Sequence, residues 1–283
     1  MSIDWVVAKW NAPRYIQAFT TSRNGGHSKG IFSSLNLSYD VGDLPELVDK
    51  NRDVFSNYLG RRIPYLKLQH GDRVIEINEA YPRDLEADAA IVRGEEMAVG
   101  ILTADCLPIF FSDKKGNVAA IAHAGWRGLA NSIIENVVEQ MAIEPNQMVA
   151  FIGPAISAFG YKVHQDVYDA FIEKKESFKK HFAIAEEIPD EPKQAHCNLK
   201  GIASEILNDL GVSSANVSEA DTYRDTDYFF SYRRDKTTGR MASVISVLPR
   251  PKHEEKKFIS MRDLDKTIQK TKTKEVDMPI DEF

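Results

Sequence analysis

The chain has 283 residues, 36 basic and 42 acidic side chains, and a formal charge of −6. That length supports one large domain or two modest ones, and 43% hydrophobic residues exclude a wholly disordered chain. The acidic balance argues against broad nucleic-acid binding, and no apolar run reaches the roughly 18 residues of a membrane span.

The opening stretch has Asp4 before a short apolar run and Lys9 after it, the reverse of a secretory signal. Two cysteines, Cys106 and Cys197, make no disulfide framework and fit a reducing compartment. A cytoplasmic protein with neither nucleic-acid nor membrane partners is therefore expected. No oligomeric state follows from the sequence.

The segment TSRNGGHSKGIFSSLNLS is dense in Gly, Ser and Asn and reads as loop. From Pro45 to Leu59, apolar residues at Leu47, Val48, Val54, Phe55, Tyr58 and Leu59 predict a helix. The runs AVGILTADCLPIFF, NVAAIAHAGW and MVAFIGPAI read as buried strands. SDKKGN between the first two suits a hairpin turn. Helices are predicted over Leu129 to Met141, Gln165 to Lys175 and Leu199 to Leu210, and MASVISVL as a closing strand. This mixture indicates an α/β chain, a single layered domain of mixed sheet and helices. The texture changes after Leu248, so residues 1–248 are expected to form the catalytic domain. Residues 249–283, rich in both charges, read as a solvated tail.

Three segments set reactive side chains among small residues: LQHGDRV with His70, LTADCLP with Cys106 and AHAGWRG with His123. Antiparallel pairing of the second and third runs would bring Cys106 to His123. Gly125 and Gly128 around Trp126 and Arg127 suggest a backbone passing close to something. The trio admits three readings. Cys106 is a nucleophile with His123 as its partner. Alternatively, two imidazoles and a thiolate hold one zinc or copper with a position left open. In the third, all are satisfied core residues, since free cysteine is among the most buried residue types.

TADCLP, HAGWRG, GPAI and FFSYRRDKTTGRMAS, in this order, resemble the bacterial family once called domain of unknown function 152. That family is also described as laccase-like polyphenol oxidoreductases, as purine nucleoside phosphorylases and as peptidoglycan editing factors. The N-terminal loop resembles its Thr-x-Arg-x-Gly-Gly-x-Ser…Ser-Leu-Asn-Leu element, and the resemblance spans about residues 5 to 248. It implies a fold related to cysteine hydrolases, and one zinc on His70, Cys106 and His123, with copper accepted at the same site. It further implies phosphorolysis of adenosine, inosine and methylthioadenosine, with adenosine deamination beside it. The partners would then be a purine nucleoside and phosphate.

An open zinc site lowers the pKa of bound water to about 7, which suits attack at C6 of adenine. Asp105 is the carboxylate expected to shuttle the proton, unless as a strand neighbour it points away. Phosphate calls for arginine, and Arg23, Arg127 and Arg233 lie in the family motifs. Arg233 and Arg234 fall in a segment that reads as a strand before a TTG turn, and one of the pair is expected to be a salt-bridged strand end. Gly25, Gly26 and Asn36 are expected to position the nucleoside. The chain departs from the family pattern at Leu68, Lys162 and Asp221, where Gln, Glu and Cys are usual, so Lys162 could alter the pocket rim. His164, His196 and Cys197 read as structural or surface residues.

Two other activities compete with phosphorolysis: an amidase that edits peptidoglycan precursors, and a copper-dependent polyphenol oxidase. A blue multicopper set needs a large group of histidines. The seven present show no His-x-His pair.

Overall fold

The computed structural model describes residues 3–78, 85–184, 194–212 and 215–250. Residues 251–283, most of the predicted tail, lie outside them. Met1–Pro249 forms one compact unit.

Its elements begin with β1 (Trp5–Val7), β2 (Ile16–Thr21), α1 (Pro45–Leu59), β3 (Val74–Ile77) and β4 (Ala89–Arg93). Next come β5 (Met97–Thr103), β6 (Leu107–Asp113), β7 (Val118–Ala124), α2 (Trp126–Ala130), α3 (Ile133–Met141) and β8 (Met148–Ile152). Then follow β9 (Lys162–Val163), α4 (Gln165–Lys174), β10 (Phe182–Ile184), β11 (Ala195–Cys197) and α5 (Leu199–Asp209). The last are β12 (Ala215–Val217), α6 (Tyr232–Asp235) and β13 (Met241–Val247).

Among the described residues the strands make a mixed six-stranded sheet, β12-β8-β6-β7-β4-β3, a four-stranded sheet, β1-β2-β13-β5, and a small sheet, β10-β11-β9. Alternation along β7 shows how they stack. Ala120, Ala122 and Ala124 pack with α3 and α5 through Ile134, Val137, Ile202 and Ile206. Ala119 and Ile121 face the other way, toward Val99, Ile101 and Ile245 of the four-stranded sheet. That sheet in turn turns Phe19, Ala242 and Val244 toward Phe55 of α1. The layers thus run helices, six-stranded sheet, four-stranded sheet, helix, a mixed α/β fold. Strands β6 and β7 are buried throughout because both faces are covered, which is why they read as unbroken apolar runs.

Helix α1 spans the predicted residues, from Pro45 in its first turn to Gly60 in the left-handed region (φ 68°), a common start and stop. Three expectations change. The run 98–111 is two strands in different sheets, with Ala104, Asp105 and Cys106 as the crossover. The helix predicted over 129–141 is broken at Ser132, φ 74°. Tyr232–Asp235 is a short helix rather than a strand, with the Ser231 side chain capping the Arg234 N–H. No helix of the described residues is long and apolar enough to cross a membrane.

Candidate metal centre and its cavity

The site forms where the chain leaves the four-stranded sheet for the six-stranded one. Antiparallel pairing of β6 with β7 sets Pro108 opposite His123 and Leu107 opposite Ala124, so Cys106, one step before β6, reaches His123 as the hairpin reading expected. His70 arrives from the loop before β3. The donor atoms of His70, Cys106 and His123 lie within 4.8 Å of one another, and the two imidazole rings stand nearly perpendicular, at 88°.

Asp88, wholly buried, organises this trio. Its Oδ1 contacts His123 Nδ1 at 2.9 Å and accepts the His70 backbone N–H at 2.9 Å. Its Oδ2 accepts the N–H groups of Gln69 (3.1 Å) and Gly71 (2.9 Å). Three successive amides wrapped around one anion form a nest; the left-handed φ of His70 (57°) belongs to that curl. The carboxylate fixes the proton of His123 on Nδ1 and leaves Nε2 for a metal. Burial pushes the Asp88 carboxyl up, but the His123 hydrogen bond and the amides outweigh it and hold it below the ordinary value.

The space between the donors is kept open by Gly125. A Cβ there would lie 3.1 Å from Cys106 Sγ, 3.7 Å from His70 Cδ2 and 3.8 Å from His123 Cε1. Tetrahedral bonds of about 2.0–2.3 Å put donors roughly 3.5 Å apart, close to the spacing the three side chains already have. Two nitrogens and a thiolate with one position open suit zinc or copper. Gly125 has φ −74°, which any residue adopts, so Gly125→Ala is expected to fold normally. Its methyl fills the centre instead, and zinc affinity, read by competition with a chromogenic chelator, should fall by about a hundredfold or more. Gly128 has a different reason: a Cβ would meet the Gly71 carbonyl oxygen at 2.9 Å, so the small residue lets α2 pack onto the His70 loop.

A cavity adjoins the centre, with Trp126, Arg127, Ile156, Tyr161 and Leu199 in its wall. Arg127 is exposed and stacks over Trp126, 4.4 Å from the ring centroid. Its guanidinium has no hydrogen-bond or ion-pair partner among the described residues. Arg233 stacks over Tyr161 at 4.8 Å and donates to the Lys162 carbonyl. Lys162 itself is exposed.

The other expected contact residues are engaged within the chain. Asp105 borders the cavity, but its carboxylate accepts the Thr222 hydroxyl at 2.7 Å and the Arg233 N–H at 2.6 Å. Its carbonyl accepts from Ile156 N at 3.0 Å. It ties three loops together with φ at 104°, a backbone cost of order 1–3 kcal/mol that those bonds offset. The contacts it makes are those of a positioning residue.

Arg23 donates to the carbonyls of Ser33 (2.9 Å) and Thr226 (3.0 Å) and covers the Phe230 ring, which clasps two loops together. Asn36 is wholly buried; its amide spans Ser38, Asp43 and the Arg240 N–H, leaving nothing for a nucleoside. Gly25 supplies a φ of 93°. At Gly26 a Cβ would strike Ser34 O at 2.3 Å, so both positions need glycine for the loop's own course. Arg234 is the structural member of its pair, donating to Thr222, Tyr223 and Phe229 carbonyls and to Asp235. Cys197 is buried and its thiol pushed up to about 12 by desolvation. His196 donates from Nδ1 to the Ala158 carbonyl at 2.9 Å, and the Asp221 carboxylate accepts from the Ser157 hydroxyl.

A family model described as multi-copper polyphenol oxidoreductase laccase matches residues 17–248. A Haemophilus influenzae protein named purine nucleoside phosphorylase is 38% identical over 238 residues, 83% of this chain and 96% of its own length. A Pseudomonas aeruginosa protein of that name is 35% identical over 241 residues, 85% and 97% respectively. The crystal structure of a Neisseria meningitidis protein assigned to domain of unknown function 152 is similar with a TM-score of 0.81 and 39% identity, over 87% of this chain and 99% of that one. YlmD from Geobacillus stearothermophilus follows with a TM-score of 0.72 and 28% identity, over 83% and 93%.

Proposed function

The chain belongs to the family described as multi-copper polyphenol oxidoreductase laccase, and from that membership we propose a zinc-dependent purine nucleoside phosphorylase acting in the cytoplasm. Its substrates are adenosine, inosine and methylthioadenosine with inorganic phosphate, and adenosine deamination is a side reaction. The observation that carries this reading is the cavity itself, in which a His-Cys-His donor set adjoins two aromatic walls and an unpaired guanidinium. The Haemophilus and Pseudomonas relatives, named for this activity and matched over nearly their whole length, support it.

Zinc held by His70, Cys106 and His123 would supply a Lewis acid with its fourth position open. Trp126 offers a flat apolar face to a purine, and Tyr161, its ring covered by Arg233, presents its edge. Arg127, pre-oriented by its stacking on Trp126, presents a planar fork to phosphate, and Arg233 stands over the opposite wall. Asp105 keeps Arg233 and the Ile156 loop in register. Ile156 and Leu199 add apolar wall to the cavity, and a less polar surrounding strengthens charge interactions.

Among the described residues only one group of three or more His, Cys, Asp or Glu side chains could hold a metal. A mononuclear copper plus a trinuclear cluster does not fit that donor set; copper in the one site does. The amidase reading has its own support: Cys106, His123 and buried Asp88 run thiol to imidazole to carboxylate, as in cysteine hydrolases.

Products discriminate. Zinc-loaded protein with adenosine is expected to give adenine and ribose 1-phosphate only when phosphate is added. Inosine formed without phosphate would make deamination the main reaction. An amino acid released from a muropeptide precursor, with no nucleoside turnover, would replace the reading with the amidase.

A further inference from the structure

Tyr161 lies in the cavity wall with Cys106 and Arg127, and its hydroxyl has no hydrogen-bond partner among the described residues. The side chain is half-buried, and tyrosine hydroxyls at such positions ordinarily find a partner. Its position is fixed on every side. The backbone N–H donates to Ala158 O at 3.2 Å and the carbonyl accepts from Cys197 N at 3.0 Å. Arg233 lies on the ring at 4.8 Å and donates to the next carbonyl along, that of Lys162. At Gly160 a Cβ would meet the Tyr223 ring at 2.5 Å, so the preceding turn is packed as well. An immobilised hydroxyl facing a cavity with no protein acceptor is built to meet a ligand.

We infer that the Tyr161 hydroxyl donates a hydrogen bond to the purine ring, at N7, as the glycosidic bond breaks. The inference rests on the phosphorylase reading and names a catalytic residue within it. As C1′–N9 breaks, its electron pair passes into the purine and charge builds on N7. A hydrogen-phosphate oxygen bonds to C1′, and the proton that phosphate carried ends on the released base. The ribose 1-phosphate dianion is the other product, so charge and atoms balance. A donor aimed at developing charge acts more strongly in the transition state than on bound substrate. Burial shifts the phenol toward its protonated form, the form that donates.

Tyr161→Phe keeps the ring under Arg233 and removes only the hydroxyl. With inosine and phosphate, kcat is expected to fall by about a hundredfold, with KM changed little and zinc content unchanged. The companion substrate is 7-methylinosine, whose cationic base leaves without a donor and whose N7 accepts none. The variant should turn it over at least as fast as the wild type. Unchanged kcat on inosine, or an equal fall on both substrates, would overturn the role of Tyr161 while leaving phosphorolysis standing. Absence of phosphate-dependent turnover by the wild-type protein would overturn both.

Discussion

Cys106→Ser is expected to cost about two to three powers of ten in zinc affinity, because apparent zinc free energies of ~10–16 kcal/mol are shared among about four ligands. Nucleoside turnover should fall with it, by at least about a hundredfold, while the circular dichroism spectrum stays that of the parent. Cys106 sits at the crossover between sheets and is partly exposed, so the swap disturbs no core packing. The metal-free parent offers a second readout. Burial pushes the Cys106 thiol up, but the charge of His123 and the hydrogen bonds from His123 and His70 outweigh it and bring it down to about 6. The thiolate is then present at pH 7 and lost as the pH falls through that value. Alkylation by iodoacetamide should therefore persist a couple of pH units below the ordinary thiol range near 8.5. Burial favours neutral His123, yet the Cys106 thiolate and Asp88 raise it overall. Zinc must displace the His123 proton, and bound zinc should suppress alkylation. Alkylation that zinc leaves untouched would remove Cys106 from the ligand set.

The second large effect is expected at Asp88. Asp88→Asn keeps the shape but replaces one acceptor oxygen by an NH2 group that faces N–H donors. The nest of Gln69, His70 and Gly71 and the Nδ1 bond of His123 cannot both be kept. Loss of such an orienting partner typically weakens metal binding 10–100-fold. Breaking a buried, charge-assisted network adds a stability loss of about 3 kcal/mol. Zinc affinity and the urea midpoint of the metal-free protein read the two parts separately. Wild-type affinity in the variant would mean that His123 is oriented without Asp88.

Asp88 was absent from the sequence reading although the trio it serves was present there. His70 and His123 stand beside glycine or alanine and Cys106 two residues from Ala104, and the hairpin around SDKKGN joins two of them. Asp88 sits in ADAAIV at the foot of β4. A carboxylate set directly in an apolar strand was the available signal, since an unpaired buried charge is not tolerated. Its partners, however, are backbone amides brought in by the loop before β3, and no spacing encodes them. The run 98–111 misled for a related reason. Continuous apolar residues mark burial on both faces, and two strands in two stacked sheets satisfy that as well as one.

Arg23 and Asn36 show the converse. Both lie in a motif of the family, but Arg23 grips carbonyls of two loops and the Asn36 amide is saturated by Ser38, Asp43 and the distant Arg240 N–H. A recurrent polar residue can serve a loop's own folding, and only hydrogen-bond accounting separates that from substrate contact. Arg127 passes the same accounting with its donors free.

The most direct test is a titration of metal-free protein with zinc, following ribose 1-phosphate released from inosine in excess phosphate. The centre formed by His70, Cys106 and His123 is expected to give no product without metal, then a linear rise that breaks at about one zinc per chain. Full turnover in the metal-free protein, or zinc bound to that break with no product formed, would contradict a metal-dependent phosphorylase.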